Sequence, residues 1–219
     1  MKTIWAFLLT MSLILLAAFP SMAKEISKTE KALWMAVEDA NQSAVQKLIK
    51  AKVNINAQDE HGESALIKAI ANDNDSIAGL LLKNRADVNL KDEAGNTALF
   101  YAVSNNNEKL SRDVINAHAD LKLVYGEKKE SVLFEAARSN AAAVAKLLLQ
   151  KEPKLAGMLN SEGQNALFAS VELGNVEVTK VLAQKLDPNL KDKSGKTPKD
   201  IAKASGLKKT LNALSSVSP

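Results

Sequence analysis

Two histidines, scattered serines and lysines, and no cysteine are the side chains from which this sequence could assemble a reactive centre. His61 and His118 fall in separate turns with no third ligand near either in sequence, so they indicate neither a zinc site nor an acid–base pair. Three serine motifs invite a test for an activated nucleophile. Ser205-Gly206-Leu207-Lys208 fits Ser-x-x-Lys, Ser104-Asn105-Asn106 fits Ser-x-Asn, and Lys193-Ser194-Gly195 is close to Lys-Thr-Gly. Their order along the chain does not suit enzymes built on these motifs, and Ser21-Met22-Ala23-Lys24 fits the first pattern equally well. The glycines stand singly instead of clustering into a phosphate-cradling loop. Asp59, Asp92 and Asp192 read as turn formers rather than paired catalytic carboxylates. Without cysteine there are no disulfides and no thiol chemistry. The sequence therefore points to no catalytic, cofactor-binding or metal residue, and to a protein that is not an enzyme.

Composition narrows the alternatives further. Of 219 residues, 46% are hydrophobic and 25% charged, enough for a folded core. The net charge of +4 comes from 29 basic and 25 acidic residues without long like-charge runs. Aromatics make up only 4%, so neither charge nor stacking argues for nucleic acid. Lys2, the apolar stretch Ile4 to Phe19 and the closing Pro20-Ser21-Met22-Ala23 describe an export leader, residues 1–23, cleaved after Ala23. The apolar stretch is shorter than the roughly 20 residues a spanning helix needs. The expectation is a periplasmic chain with no membrane insertion once the leader is removed.

The remaining sequence repeats itself. Leu33, Leu66, Leu99, Leu133 and Leu167 are separated by 33, 33, 34 and 34 residues. Three residues after each stands a small one: Ala36, Ala69, Ala102, Ala136, Ser170. Gly62, Gly95 and Gly163 lie four residues before their leucines, and Gly195 holds the same place in a last unit. Apolar pairs such as Leu81-Leu82 and Leu148-Leu149 follow each leucine by about fifteen positions, beyond Asn- and Gly-rich breaks. Two apolar stripes joined by such breaks describe an antiparallel helix pair. Glycine before the leucine suits a turn with positive φ, and Ser64 or Thr97 can cap the helix that follows. One hairpin cannot bury its own apolar side, so the hairpins must stack.

Thr97-Ala98-Leu99-Phe100-Tyr101-Ala102, Ser64-Ala65-Leu66-Ile67-Lys68-Ala69 and Thr197-Pro198-Lys199-Asp200-Ile201-Ala202 resemble the ankyrin pattern Thr-Pro-Leu-His-x-Ala. The resemblance implies an all-α solenoid of stacked helix-turn-helix units with short β-hairpin-like turns. It spans residues 24–214 as about five repeats and a partial C-terminal capping unit, with residues 215–219 as a flexible tail. The family's histidine is replaced by Trp34, Ile67, Phe100, Phe134 and Phe168, which implies an apolar ladder coupling the repeats by packing. Gly126 to Glu130 stands where a turn belongs in the fourth unit, so that finger is expected to be irregular.

The same resemblance implies that the finger tips and the exposed side of each first helix line a groove for a protein partner. Carried over by position, the groove residues are Glu60, His61, Glu63, Asn72, Glu93, Asn96, Tyr101, Asn105, Lys128, Arg138, Glu162, Gln164, Glu172 and Leu173. Tyr101, Arg138 and Leu173 are the expected anchors, because large amphipathic or apolar residues dominate interface energetics. The functional expectation is a monomeric, cofactor-free interaction module that binds one folded protein. Its partner is expected to be an envelope enzyme, most specifically a peptidoglycan hydrolase or peptidase that it inhibits, protects or positions. Support of an oxidative-stress enzyme such as catalase, or action as a secreted effector on a host protein, are the alternatives.

Overall fold

A computed structural model describes residues 20–215. Residues 1–19 of the expected leader and 216–219 of the expected tail lie outside the described residues. Among those described, twelve α-helices form six hairpins. The first helices are α1 (Pro20–Glu38), α3 (Ala65–Ala71), α5 (Ala98–Ser104), α7 (Val132–Arg138), α9 (Ala166–Glu172) and α11 (Pro198–Ala204). The second helices are α2 (Gln42–Lys50), α4 (Asp75–Lys83), α6 (Glu108–Asn116), α8 (Ala142–Lys151), α10 (Val176–Ala183) and α12 (Lys208–Ser215). Each first helix packs on the first helices before and after it, and each second helix likewise, giving two parallel rows. Cleavage after Ala23 would remove Pro20 to Ala23 from α1. No described helix is long and apolar enough to cross a membrane.

Local chemistry sets the helix boundaries. Ser64 Oγ accepts from Ile67 N at 3.2 Å and Thr97 Oγ1 from Phe100 N at 3.4 Å. Thr197 forms a reciprocal box with Asp200. The second helices of the early repeats use asparagine: Asn41, Asn74 and Asn107 accept from Ala44, Ile77 and Leu110 N. Each helix pair is joined through one left-handed residue: Ala40, Asp73, Asn106, Asn140, Gly174 or Gly206. The sixth hairpin, read from sequence as a partial cap, has both of its helices.

Leucine and alanine from both rows fill one continuous core. Of the aromatic and aliphatic ladder, Ile67, Phe134 and Phe168 are buried, whereas Trp34 and Phe100 are half-buried. Packing is not the only coupling between repeats, which corrects the expectation from sequence. Asn105 Nδ2 donates to the Ile70 and Ala71 carbonyls, and Asn175 Nδ2 to those of Ala137 and Arg138. Asn56 and Asn89 accept from Asp87 N and Asp120 N one repeat on. Backbone carbonyls at a helix end are left without intrahelical partners, and the next repeat's asparagine meets them.

The fingers stack on one another through backbone bonds, with one gap. Glu93 N donates to His61 O, Ser161 N to Lys128 O and Lys193 N to Glu162 O, joining fingers two to three, four to five and five to six. Among the described residues no such bond joins fingers three and four. The fourth finger, expected to be irregular, is a two-stranded antiparallel hairpin of β1 (Val124–Tyr125) and β2 (Glu130–Ser131). The glycines record the same gap. A Cβ on Gly62 would meet Glu93 N at 3.0 Å, whereas one on Gly95 would meet nothing within 4 Å. Both residues have positive φ, at 72° and 79°. Gly95→Ala is therefore expected to cost only the left-handed strain, about 1 kcal/mol. Gly62→Ala should cost roughly 1 kcal/mol more, because finger three must move and its bond to His61 O weakens. Urea unfolding of the two variants compares them directly; equal losses would reject the gap.

Candidate functional site

The finger tips and the outward side of the first helices form one face, here the inner face. Aspartates shape its tips. Asp59 Oδ1 accepts from His61 N and Glu63 N, Asp92 Oδ1 from Asn96 N, and Asp192 Oδ1 from Ser194 N and Lys196 N. Asn160 does the same in finger five, accepting from Glu162 N and Gln164 N. Fingers two, three, five and six are thus each held by a side chain of their own, with the tips turned outward.

Near the first repeats, Lys68 of α3 gathers three carboxylates. Its Nζ lies 2.9 Å from Glu38, 2.8 Å from Asp59 and 2.9 Å from Glu63, with the side chain only 10% exposed. Burial works against its charge, but the hydrogen bonds it donates to Asp59, Glu63 and Glu38 outweigh that and hold the ammonium above its ordinary pKa. Burial likewise pushes Asp59 up, and the bonds from Lys68 and from the Glu63 and His61 amides bring it below the usual carboxylate range. Trp34, Met35 and Glu60 join this cluster around a cavity of about 280 Å³, with Met35 53% exposed.

The gap between fingers three and four opens a second cavity of about 210 Å³. Phe100 and Tyr125 line it with ring centroids 5.1 Å apart, and Tyr125 OH lies 3.0 Å from Thr97 Oγ1. Burial raises the Tyr125 pKa. Arg138 closes one wall: it is bonded to Glu130, and its Nη1 is 3.9 Å from Glu135. Farther along, Lys128 Nζ meets Glu162 at 2.9 Å across fingers four and five. Leu173, which caps the C-terminal end of α9, is 59% exposed. Burial raises the pKa of Glu172, with Lys128 and Arg138 opposing and Glu162 and Glu130 reinforcing the rise.

The residues expected to line the groove sort into three groups. Glu60, His61, Asn72, Glu93, Lys128, Glu172 and Leu173 are exposed. Glu63, Asn96, Tyr101, Asn105, Arg138 and Glu162 lie on the face but are half-buried or already engaged. Tyr101 OH donates to Asp92 at 2.5 Å, Glu63 holds Lys68, and Asn105 bonds the preceding repeat. Gln164 departs from the expectation: it is buried, its amide taken by Asn160 and Asp192. Lys68 and Tyr125 are not singled out by the sequence, because Glu38 and Thr97, which they meet, belong to the preceding repeat.

The reactive motifs are not assembled. Ser104 ends α5 in the third repeat, while Ser205 follows α11 and Ser194 lies in the finger preceding it. No group of three His, Asp or Glu among the described residues is placed to hold a metal ion.

A family model for ankyrin repeats, three copies long, matches residues 15–92, 33–124, 99–192 and 133–217. No curated protein sequence matches the chain. Among solved structures, the chain is similar to immunity protein Bd3460, solved in complex with the predatory endopeptidase Bd0816 from Bdellovibrio bacteriovorus. Identity is 32% over 86% of this chain and 98% of that one, with a TM-score of 0.77. An ankyrin repeat domain from Acinetobacter baumannii is 27% identical over 85% and 97% of the two chains, also at TM-score 0.77. The ankyrin repeat protein EF0377 is 23% identical over 86% and 98%, at TM-score 0.78, and bears on the fold alone.

Proposed function

This chain belongs to the ankyrin-repeat family, a protein-interaction scaffold, and on that premise we propose that it is a periplasmic, non-enzymatic inhibitor of an envelope endopeptidase. The observation that carries this reading is the likeness, over nearly the whole of both chains, to an immunity protein found with an endopeptidase. The leader read at residues 1–23 supports the compartment. The inner face supports the mode of binding. It offers an exposed apolar anchor in Leu173, a recess floored by Phe100 and Tyr125, and a row of acidic tips at Glu60, Glu93 and Glu127. Such a surface suits a folded partner with a basic rim around a protruding loop, and seating that loop would keep substrate from a cleft.

The test is direct. A peptidoglycan endopeptidase from the same envelope is assayed on purified peptidoglycan with increasing amounts of this protein. Stoichiometric loss of cleavage is expected, and undiminished cleavage at saturating protein rejects inhibition. Leu173→Asp leaves the core intact and should weaken inhibition roughly thirtyfold, equivalent to about 2 kcal/mol at an interface anchor. An unchanged inhibition curve would move the contact away from the C-terminal half of the inner face.

A further inference from the structure

The opposite, outer side of the stack carries a feature that the inner-face reading does not use. In the first three repeats the second helix runs directly into its exit turn. In the fourth, α8 is ten residues long and Pro153 ends it, after which Pro153–Gly157 adds a 3₁₀ turn anchored by the buried Leu155. The neighbouring α10 has eight residues. Between the long element and the short one lies a groove of about 810 Å³. Leu149, Pro153, Ala156 and Val181 give it an apolar lining, and Lys146 and Lys185 stand at its edges.

Charge around this groove is one-sided. Lys146, Lys185 and the adjacent Lys154 are exposed, and among the described residues none has a carboxylate within ion-pair distance. On the inner face, by contrast, Lys68 and Lys128 are each paired with a carboxylate. We propose that this outer groove is a second docking site, separate from the inner face, for an acidic peptide segment that inserts an apolar side chain between α8 and α10. Apolar lining accounts for the inserted side chain, and unpaired ammonium groups on α8 (Lys146) and in the turn after α10 (Lys185) account for acidic flanks on both sides of it. A recessed lining disfavours a lipid surface, which is met by protruding apolar side chains. The most exposed large hydrophobics, Met35, Val124, Leu159 and Leu173, do not line this groove. A nucleic acid would find no aromatic ring there to stack on. The site does not depend on the endopeptidase reading, and its occupation leaves the inner face free.

Fluorescence anisotropy of the full chain tests it, using a short fluorescein-labelled peptide with a Leu-Phe centre flanked by glutamates. Saturable binding is expected, about tenfold or more tighter than for the same peptide with a Gly-Ser centre. The exposed-surface double variant Lys146→Glu/Lys185→Glu, with an unchanged circular dichroism spectrum, should lose about tenfold or more, while Leu173→Asp should bind as the parent does. Absence of binding, equal affinity for the Gly-Ser peptide, or no effect of the double variant overturns the proposal. Binding to phosphatidylglycerol vesicles with the same sensitivity to the double variant overturns it in favour of a membrane.

Discussion

Phe168→Ala and Phe134→Ala are each expected to lower the free energy of unfolding by about 3–5 kcal/mol, the range for removing a core aromatic. Both rings are fully buried, in α9 and α7, the fifth and fourth of the six first helices. The surroundings are poorly placed to collapse into the space. Each ring sits within one repeat while neighbouring repeats are fixed by Asn175 on the Ala137 and Arg138 carbonyls and by Ser139 on the Val103 carbonyl. Because a solenoid's stability is close to a sum over repeats and their interfaces, loss in one internal repeat should also split the transition. Urea unfolding followed by circular dichroism should show a lower midpoint and a broadened or two-step curve. Trp34→Ala serves as the comparison: its ring is half-buried at the N-terminal end, held by a bond from Nε1 to Ala57 O. It should cost less. A loss below about 1 kcal/mol at Phe168 would show that the ladder is not part of the core.

Lys68→Met is expected to cost about 2–3 kcal/mol at pH 7. The methionine keeps most of the apolar stem but leaves Glu38, Asp59 and Glu63 converging with no cation among them. Removing one member of a buried pair costs about 3–5 kcal/mol, reduced here because Glu38 is half exposed to water. The pH dependence identifies the cause. Asp59 titrates lower in the folded state than in the unfolded chain, so its contribution is complete above about pH 4. It is lost as pH falls through the lowered folded value. The gap between parent and variant should therefore narrow between pH 7 and pH 3. Lys68, shifted upward, contributes fully below its unfolded pKa and loses that contribution only in strong alkali. If the gap at pH 3 equals that at pH 7, the loss comes from packing of the side chain and not from its charge.

These two variants mark a boundary in what the chain discloses before it folds. Phe134 and Phe168 follow a recurring leucine by one residue, and their burial was legible from that register. Ser64 and Thr97 as caps, and Gly62 and Gly95 as left-handed turn residues, were legible for the same reason. Lys68 carried no such signal, since Asp59 is 9 positions away in the finger and Glu38, 30 positions away, reaches it only across a repeat boundary. Asn105 and Asn175 read as turn residues, and Gln164 as a tip residue free for a partner. Their amides instead bind the preceding or following repeat.

By itself, then, the sequence determined the repeat, its helix pairs, their caps and turns, because those depend on residues within a few positions of one another. Only the tertiary structure decided which polar groups are consumed between repeats, that fingers three and four stand apart over Phe100 and Tyr125, and that a groove opens beside Pro153. The physical reason is the stacking itself. Small differences in finger shape and helix length leave the period nearly intact, yet they set the spacing between neighbours, and both recesses are made of that spacing.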